Sequence, residues 1–303
     1  MRQTAINHIY ELAKRDPRVV FIGSDLSPGL LKQMQQEMPD RFFMEGVSEA
    51  NVIGMAAGLA MDGYIPYVNT IATFITRRCY EQVAIDLCLH NLPVRLIANG
   101  GGMVYAPLGP THMAIEDIAI MRALPNMSVV AVADAEEMKR FMAATLDHPS
   151  PMYIRLGKGG DPVVTKPEHG FTLGKAIELK APGRVGFITT GVMASRALAA
   201  SEIMAKTNTP AGVLHMPSIK PFDEAAVLAL AAKVERLVTV EEHSRIGGLG
   251  SAVSELLTDK GVHTPLLRLA LPDRFPEDYG SQEHLLEQAG LSPAAIAEAA
   301  RRA

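Results

Sequence analysis

A carboxylate, an aromatic ring and a histidine are the side chains whose settings in this sequence point to chemistry. Glu49 opens the run EANVIGMAAGLA, where most neighbours are small or apolar. Carboxylates are seldom fully buried without a partner. Glu49 follows Ser48, an N-cap residue type, so it either complements the dipole of a helix in its first turn or is an acid kept from water. In the second case burial favours the protonated form, able to exchange a proton with a ligand nitrogen. Phe74, in TIATFITRRCYEQV, stands just after an apolar strand, near the start of a helix. It either fills the core or turns its face to a planar ring. His112 ends ANGGGMVYAPLGPTH, a Gly- and Pro-rich loop of about a dozen residues, and loops that long in compact domains are usually functional. Thr111 is placed to cap the next helix, which puts His112 in its first turn. Asp25 in GSDLSPG reads as a cap at a turn-to-helix junction. GGLGS (247–251) has the composition of a phosphate cradle, but it lacks the complete glycine-rich signatures and reads as a tight turn.

Elements that position these residues follow from short β-branched runs alternating with helical stretches. VVFIG (19–23), YVNTIA (67–72), VRLIA (94–98), MSVVAVA (127–133) and MYIRL (152–156) read as buried strands. Segments 29–37, 50–61, 76–90, 114–122 and 135–147 read as helices, the last capped by Asp134 with Glu137 three residues on. After a Gly/Pro/Lys-rich stretch, alternation resumes with 185–191, 211–216, 236–242 and 265–271. The fold class is α/β: two three-layer α/β/α domains with mostly parallel sheets, at 1–160 and 184–303, joined by a linker at 161–183. In such sheets ligands bind beyond the carboxyl ends of the strands. The loops there carry Asp25, Glu49, Phe74, Asn99 to His112, and His243.

Composition narrows the function classes. The 303 residues are 48% apolar and 20% charged with a net charge of −4, so the chain builds a large core. It has no basic run, which argues against nucleic acid as a partner. No membrane span and no signal peptide are expected. Cys79 and Cys88 lack metal-type spacing and read as reduced core thiols, consistent with a cytoplasmic protein.

GVSEANVIGMAAGLA, FITRRCYEQV, GPTHMAIEDIAIMRALPNM and VTVEEHSRIGGLGSAV occur in the order found in transketolase-like, thiamine diphosphate-dependent enzymes. The chain resembles their pyrimidine-binding domain followed by their C-terminal domain, over nearly its whole length. The resemblance implies that Glu49 hydrogen-bonds a ring nitrogen of the cofactor's aminopyrimidine and so promotes its catalytically competent tautomer. It implies that Phe74 stacks on that ring, that Asp25 and Arg78 lie at the cofactor, and that His112 faces the reacting carbonyl. Family members hold the diphosphate and a divalent metal with a G-D-G motif in a separate domain. No GDG occurs here; Gly160–Asp161–Pro162 is the nearest match. The chain therefore resembles the C-terminal subunit of a split enzyme. The implied partner is an N-terminal diphosphate-binding subunit carrying Mg or Ca, in an α2β2 heterotetramer, with ketose and aldose substrates. Inactivity of the isolated chain is expected.

Several implied substrate-binding positions depart from the sugar-phosphate pattern. A histidine is replaced by Gly100, an acidic residue by Leu108 and an arginine by Lys158, while Arg2 matches a phosphate contact. Lysine lacks arginine's bidentate geometry, and leucine makes that part of the pocket apolar. The expected donor is thus a modified or nucleotide-linked ketose, or a less polar ketone or 2-oxo acid. A β subunit of a 2-oxo acid dehydrogenase and a non-catalytic assembly subunit are the alternatives. The C-terminal domain carries no recognisable catalytic set.

Overall fold

Alternating residues along the strands feed two separate apolar layers, and this builds the first sheet. Ile22, Val68, Leu96 and Val129 enter one layer, while Phe21, Tyr67, Ile97 and Val130 enter the other. The structure, a computed structural model, describes residues 1–23, 29 and 31–302; Asp25 lies outside the described residues. The strands are β1 (Val19–Gly23), β2 (Phe42–Met44), β3 (Ile65–Ile71), β4 (Arg95–Asn99), β5 (Ser128–Ala131) and β6 (Met152–Leu156). The second half contributes β7 (Ile177–Lys180), β8 (Val185–Thr189), β9 (Ala211–His215), β10 (Ser218–Lys220), β11 (Arg236–Ser244) and β12 (Leu266–Leu271). The first sheet has the order β10-β5-β6-β4-β3-β1-β2, parallel except for β10. The second has the order β12-β11-β8-β9-β7, parallel except for β7.

Helices cover both faces of each sheet. They are α1 (Arg2–Arg15), α2 (Lys32–Glu37), α3 (Glu49–Met61), α4 (Ala72–Thr76), α5 (Tyr80–Gln82), α6 (Asp117–Ala123) and α7 (Ala135–Ala144). They continue as α8 (Met193–Ala205), α9 (Glu224–Ala231), α10 (Leu249–Asp259), α11 (Gln282–Gln288) and α12 (Pro293–Arg302). In α1 the buried Ala5, Ile6, Ile9, Leu12 and Ala13 recur at helical spacing on one face, so the helix packs by that stripe. Asp134 caps α7 as expected, accepting from the Glu136 and Glu137 N–H groups at 2.9 Å. Glu137 reaches back to the Ala133 N–H, one residue before the cap. Ser48 holds the N-cap position of α3, but its hydroxyl donates to Glu45 O rather than accepting from the helix.

Four local expectations are corrected. The helix expected over 76–90 is segmented: α4, a 3-10 turn at Arg77–Cys79, α5 and a π-helical stretch at Val83–Leu89. The helix expected from 114 begins at Asp117, because Ala114 bridges to Gly101 and Gly102 and is held extended. Thr111 therefore caps nothing, and His112 sits in a turn closed by its own N–H to Gly109 O. The apolar run after Glu49 is only half buried: Val52, Ile53, Ala56 and Ala57 face the core, while Gly54, Gly58 and Met61 face outward. The short strands β7 and β10 escape a reading based on apolar runs. β7 lies inside the segment read as a linker, and β10 comes from the second half yet pairs with β5 of the first sheet. Cys79 and Cys88 are buried free thiols, and burial pushes them up to about 12 and about 11.

Candidate active site

Glu49 lies in the first turn of α3 and is 3% exposed. Its Oε2 accepts from Arg78 Nη1 at 2.9 Å, which supplies the partner that a buried carboxylate requires. Arg78 follows Phe74 by four residues, one helical turn, and its guanidinium carbon sits 3.9 Å from the Phe74 ring centroid. The same ring meets His112 edge-on, centroids 5.2 Å apart. Carboxylate, guanidinium, aromatic ring and imidazole thus form one continuous contact chain. Two of the four, Phe74 and Arg78, line a cleft of about 610 Å³ together with Arg77, Pro110, Thr111 and Phe275.

His112 is held by one neighbouring contact and by longer-range ones around its turn. Thr111 Oγ1 lies 2.9 Å from its Nδ1. Arg77 pairs with Glu116 at 2.9 Å and donates to Thr111 O and Met113 O, tying the histidine turn to the 3-10 turn that follows α4. Burial raises the Glu116 carboxyl, with Arg77 acting against that. Farther along the loop, Met103, Ala106, Met113 and Ile115 are buried among core residues of the second domain. Beneath them Arg155 donates to Asp117 at 2.7 Å, to Ala114 O and to Glu242 O, and Tyr153 donates to Asp117 at 2.6 Å. Burial disfavours the Arg155 charge, but Asp117 more than offsets it and holds the guanidinium above its ordinary range. Glu242 accepts from the Met103 N–H at 2.7 Å and from Gln282.

Of the residues implied as substrate contacts, Gly100, Arg2 and Lys158 lie at one corner, and Leu108 stands apart from them. Gly100 and Gly101 both donate N–H bonds to Leu156 O at 3.0 Å, joining the loop to the end of β6. A side chain at Gly157 would touch Met1, so Arg2 at the start of α1 belongs to the same corner. Lys158 follows there and is exposed. Leu108 is 53% exposed, carried outward by the 3-10 turn Ala106–Leu108.

Phe275 and Arg77 escape a reading by motif. Phe275 follows β12, so the same strand-end rule applied to the second domain points to its loop. Arg77 has no signal beyond its place beside Arg78. At GGLGS the N–H groups of Leu249 and Gly250 are taken by Glu241 at 2.7 and 2.8 Å, so the turn there is structural.

Residues 1–160 match the family model described as transketolase, pyrimidine binding domain, and residues 174–296 the one described as transketolase, C-terminal domain. Among curated relatives, 6-deoxy-6-sulfo-D-fructose transketolase subunit SqwH of Clostridium sp. (strain MSTE9) is 38% identical over 99% of this chain and 93% of its own length. A 1-deoxy-D-xylulose-5-phosphate synthase of Caldanaerobacter subterraneus subsp. tengcongensis is 35% identical over 95% of this chain, which spans 46% of that enzyme. Among solved structures, a split gene transketolase in the form of an inactive β4 tetramer superposes with a TM-score of 0.92 at 35% identity. It is matched over 100% of this chain and 97% of the other. A transketolase from Pichia stipitis in complex with sedoheptulose 7-phosphate shares the fold, with a TM-score of 0.82 at 21% identity over 99% of this chain and 45% of its own. The chain belongs to the transketolase family, a thiamine diphosphate-dependent family, and has the two-domain form of a split-gene subunit.

Proposed function

We propose that this chain is the C-terminal subunit of a split transketolase that moves a two-carbon ketol unit from a ketose to an aldehyde acceptor. The carrying observation is Glu49, buried to 3% exposure yet linked through Arg78 to an aromatic face at the cleft. These residues fit the aminopyrimidine of thiamine diphosphate: a carboxyl for a ring nitrogen, Phe74 for the ring face and Arg78 to orient the carboxyl. When bound, the cofactor supplies an electron sink for C–C cleavage. Glu49 holds or shares the proton on the ring nitrogen. His112, with Nδ1 engaged by Thr111, presents Nε2 to the substrate carbonyl, where it donates a hydrogen bond or moves a proton. Asp25 completes the cofactor contacts in this reading. Gly100, Leu108, Lys158 and Arg2 line the substrate end.

The diphosphate and its divalent metal fall to the partner, since this chain has no GDG motif. An α2β2 heterotetramer follows if each copy pairs with that partner and with its own twin. The relative solved as an inactive β4 tetramer supports the need for a second subunit. The SqwH relative, whose name specifies a sulfonated fructose, supports a ketose with a modified terminus as donor. A second reading, with a 2-oxo acid as donor, rests on the apolar Leu108 at the loop turn.

Reconstitution with the diphosphate-binding subunit, assayed against ketose and 2-oxo acid donors, tests the proposal. Turnover is expected only from the pair. Full turnover by this chain alone overturns it.

A further inference from the structure

Gly100 adopts φ +73, and a Cβ built there would lie 2.2 Å from Cε2 and 2.5 Å from Cδ2 of Tyr105. The tyrosine ring therefore stands where a side chain at position 100 would begin. The 3-10 turn at Ala106–Leu108 fixes it, with the Leu108 N–H donating to Tyr105 O at 2.8 Å. Arg2 is the charge that acts on the Tyr105 phenol. Burial raises that phenol's pKa, with Arg2 acting against it, so at neutral pH the hydroxyl keeps its proton. Arg2 Nε is buried without a hydrogen-bond partner; Tyr105 is half-buried, and its hydroxyl bonds no other described residue. A guanidinium can only donate. A buried guanidinium donor left unpaired is costly, so the Arg2 Nε calls for an acceptor-rich ligand at this corner, and the free Tyr105 hydroxyl is a further donor to it.

We propose that Tyr105 is a specificity-determining residue of the donor site: its ring closes the volume at position 100, and its hydroxyl, beside Arg2, bonds a terminal oxyanion of the ketose. This rests on the transketolase reading above. Phosphate and sulfonate share the required chemistry, three acceptor oxygens and negative charge. Tyr105→Phe keeps the ring packed on Gly100 and removes only the hydroxyl, so the variant retains the packing at that turn.

The test uses the reconstituted pair with three donors: D-fructose 6-phosphate, 6-deoxy-6-sulfo-D-fructose and uncharged D-fructose. Tyr105→Phe is expected to raise KM for a charged donor about tenfold relative to fructose, the worth of one hydrogen bond to a charged acceptor. The effect should fall on KM rather than kcat. A rise for one charged donor alone identifies phosphate or sulfonate as the group read. Calorimetric binding of the same sugars, without acceptor, gives a readout independent of turnover. Equal shifts for all three donors, no shift, or wild-type binding that does not favour a charged sugar over fructose overturns the inference. Glu49→Gln in the same assay separates the two claims. An active Glu49→Gln pair sinks the reading of the reaction, whereas a silent Glu49→Gln pair with an indifferent Tyr105→Phe sinks only the role of Tyr105.

Discussion

Each domain sets a buried glutamate against the first turn of a helix, Glu49 from within α3 and Glu241 from a strand, and the two are used differently. Glu241, at the end of β11, spends both oxygens on the first turn of α10, accepting from the Leu249 and Gly250 N–H groups. Gly248 makes this approach possible, since a Cβ there would lie 2.1 Å from Glu241 Oε2. Its neighbour His243 is equally committed: Nδ1 donates to Ser244 O at 2.7 Å and Nε2 accepts from the Ala119 N–H at 3.2 Å. Burial lowers the His243 pKa, in keeping with that neutral ring. Glu49, by contrast, is bound to one half-exposed arginine, and its second oxygen has no partner among the described residues. A strand-end carboxylate becomes structural when its own fold satisfies both oxygens. It stays available to a ligand when one is left over.

Changes at the first site should cost turnover, and changes at the second should cost stability. Glu49→Gln should lower kcat of the reconstituted pair about 10²- to 10⁴-fold, the usual worth of a proton-transferring group. Its melting temperature should barely move. An unchanged kcat would remove the distinction between the two glutamates.

Arg155→Met strikes the buried network under the loop and leaves the Asp117 carboxyl without its guanidinium, with Tyr153 as its remaining side-chain donor. The expected loss is about 3–5 kcal/mol of unfolding free energy in a denaturant titration. A loss below about 1 kcal/mol would show that the network does not hold the domains to the loop.

Glu241 allows a pH test of the sealed end. Burial raises its carboxyl from 4.5 to about 7. The folded state thus holds this proton more tightly than the unfolded one. Its contribution is full below about pH 4.5 and is lost as pH rises through about 7, a change of at most about 3 kcal/mol. Melting temperatures between pH 5 and 7 should fall more steeply for the wild type than for Glu241→Gln. Parallel curves would mean that the group does not titrate there.

The smallest effect belongs to Glu255→Ala, which removes the surface pair with Arg122 between α6 and α10, 2.5 Å long with the glutamate 57% exposed. Exposed pairs contribute at most about 1 kcal/mol. A larger loss would place part of the domain contact on the surface rather than in the buried network.

Only the Glu49 half of this contrast is legible in the sequence; Glu241 has no local signal. The β-branched runs mark the main strands, because strands buried on both faces are apolar throughout. Glu49 stands out as a carboxylate at the head of a small, apolar run that follows a strand. The rest depends on partners distant in sequence. Where α6 begins is decided by Ala114 bridging to the glycines near position 100. His112 is placed by Arg77, Glu116 and a second-domain core that receives Met103 and Met113. GGLGS is locally ambiguous between a phosphate cradle and a turn until Glu241, from another element, is seen to occupy its N–H groups. Edge strands such as β7 and β10 are too short to carry a pattern of their own.

The strand that crosses between the sheets limits how the molecule can be divided. β10 supplies the outer rung of the N-terminal sheet, and the Ala131 N–H donates to Pro217 O just before it. Cutting the chain between the halves would strip that rung from β5 and bare a row of unmatched backbone groups, a template for pairing with other chains. Neither half is a detachable cassette, and a shortened version made to study cofactor capture would have to carry Ser218–Lys220 with it.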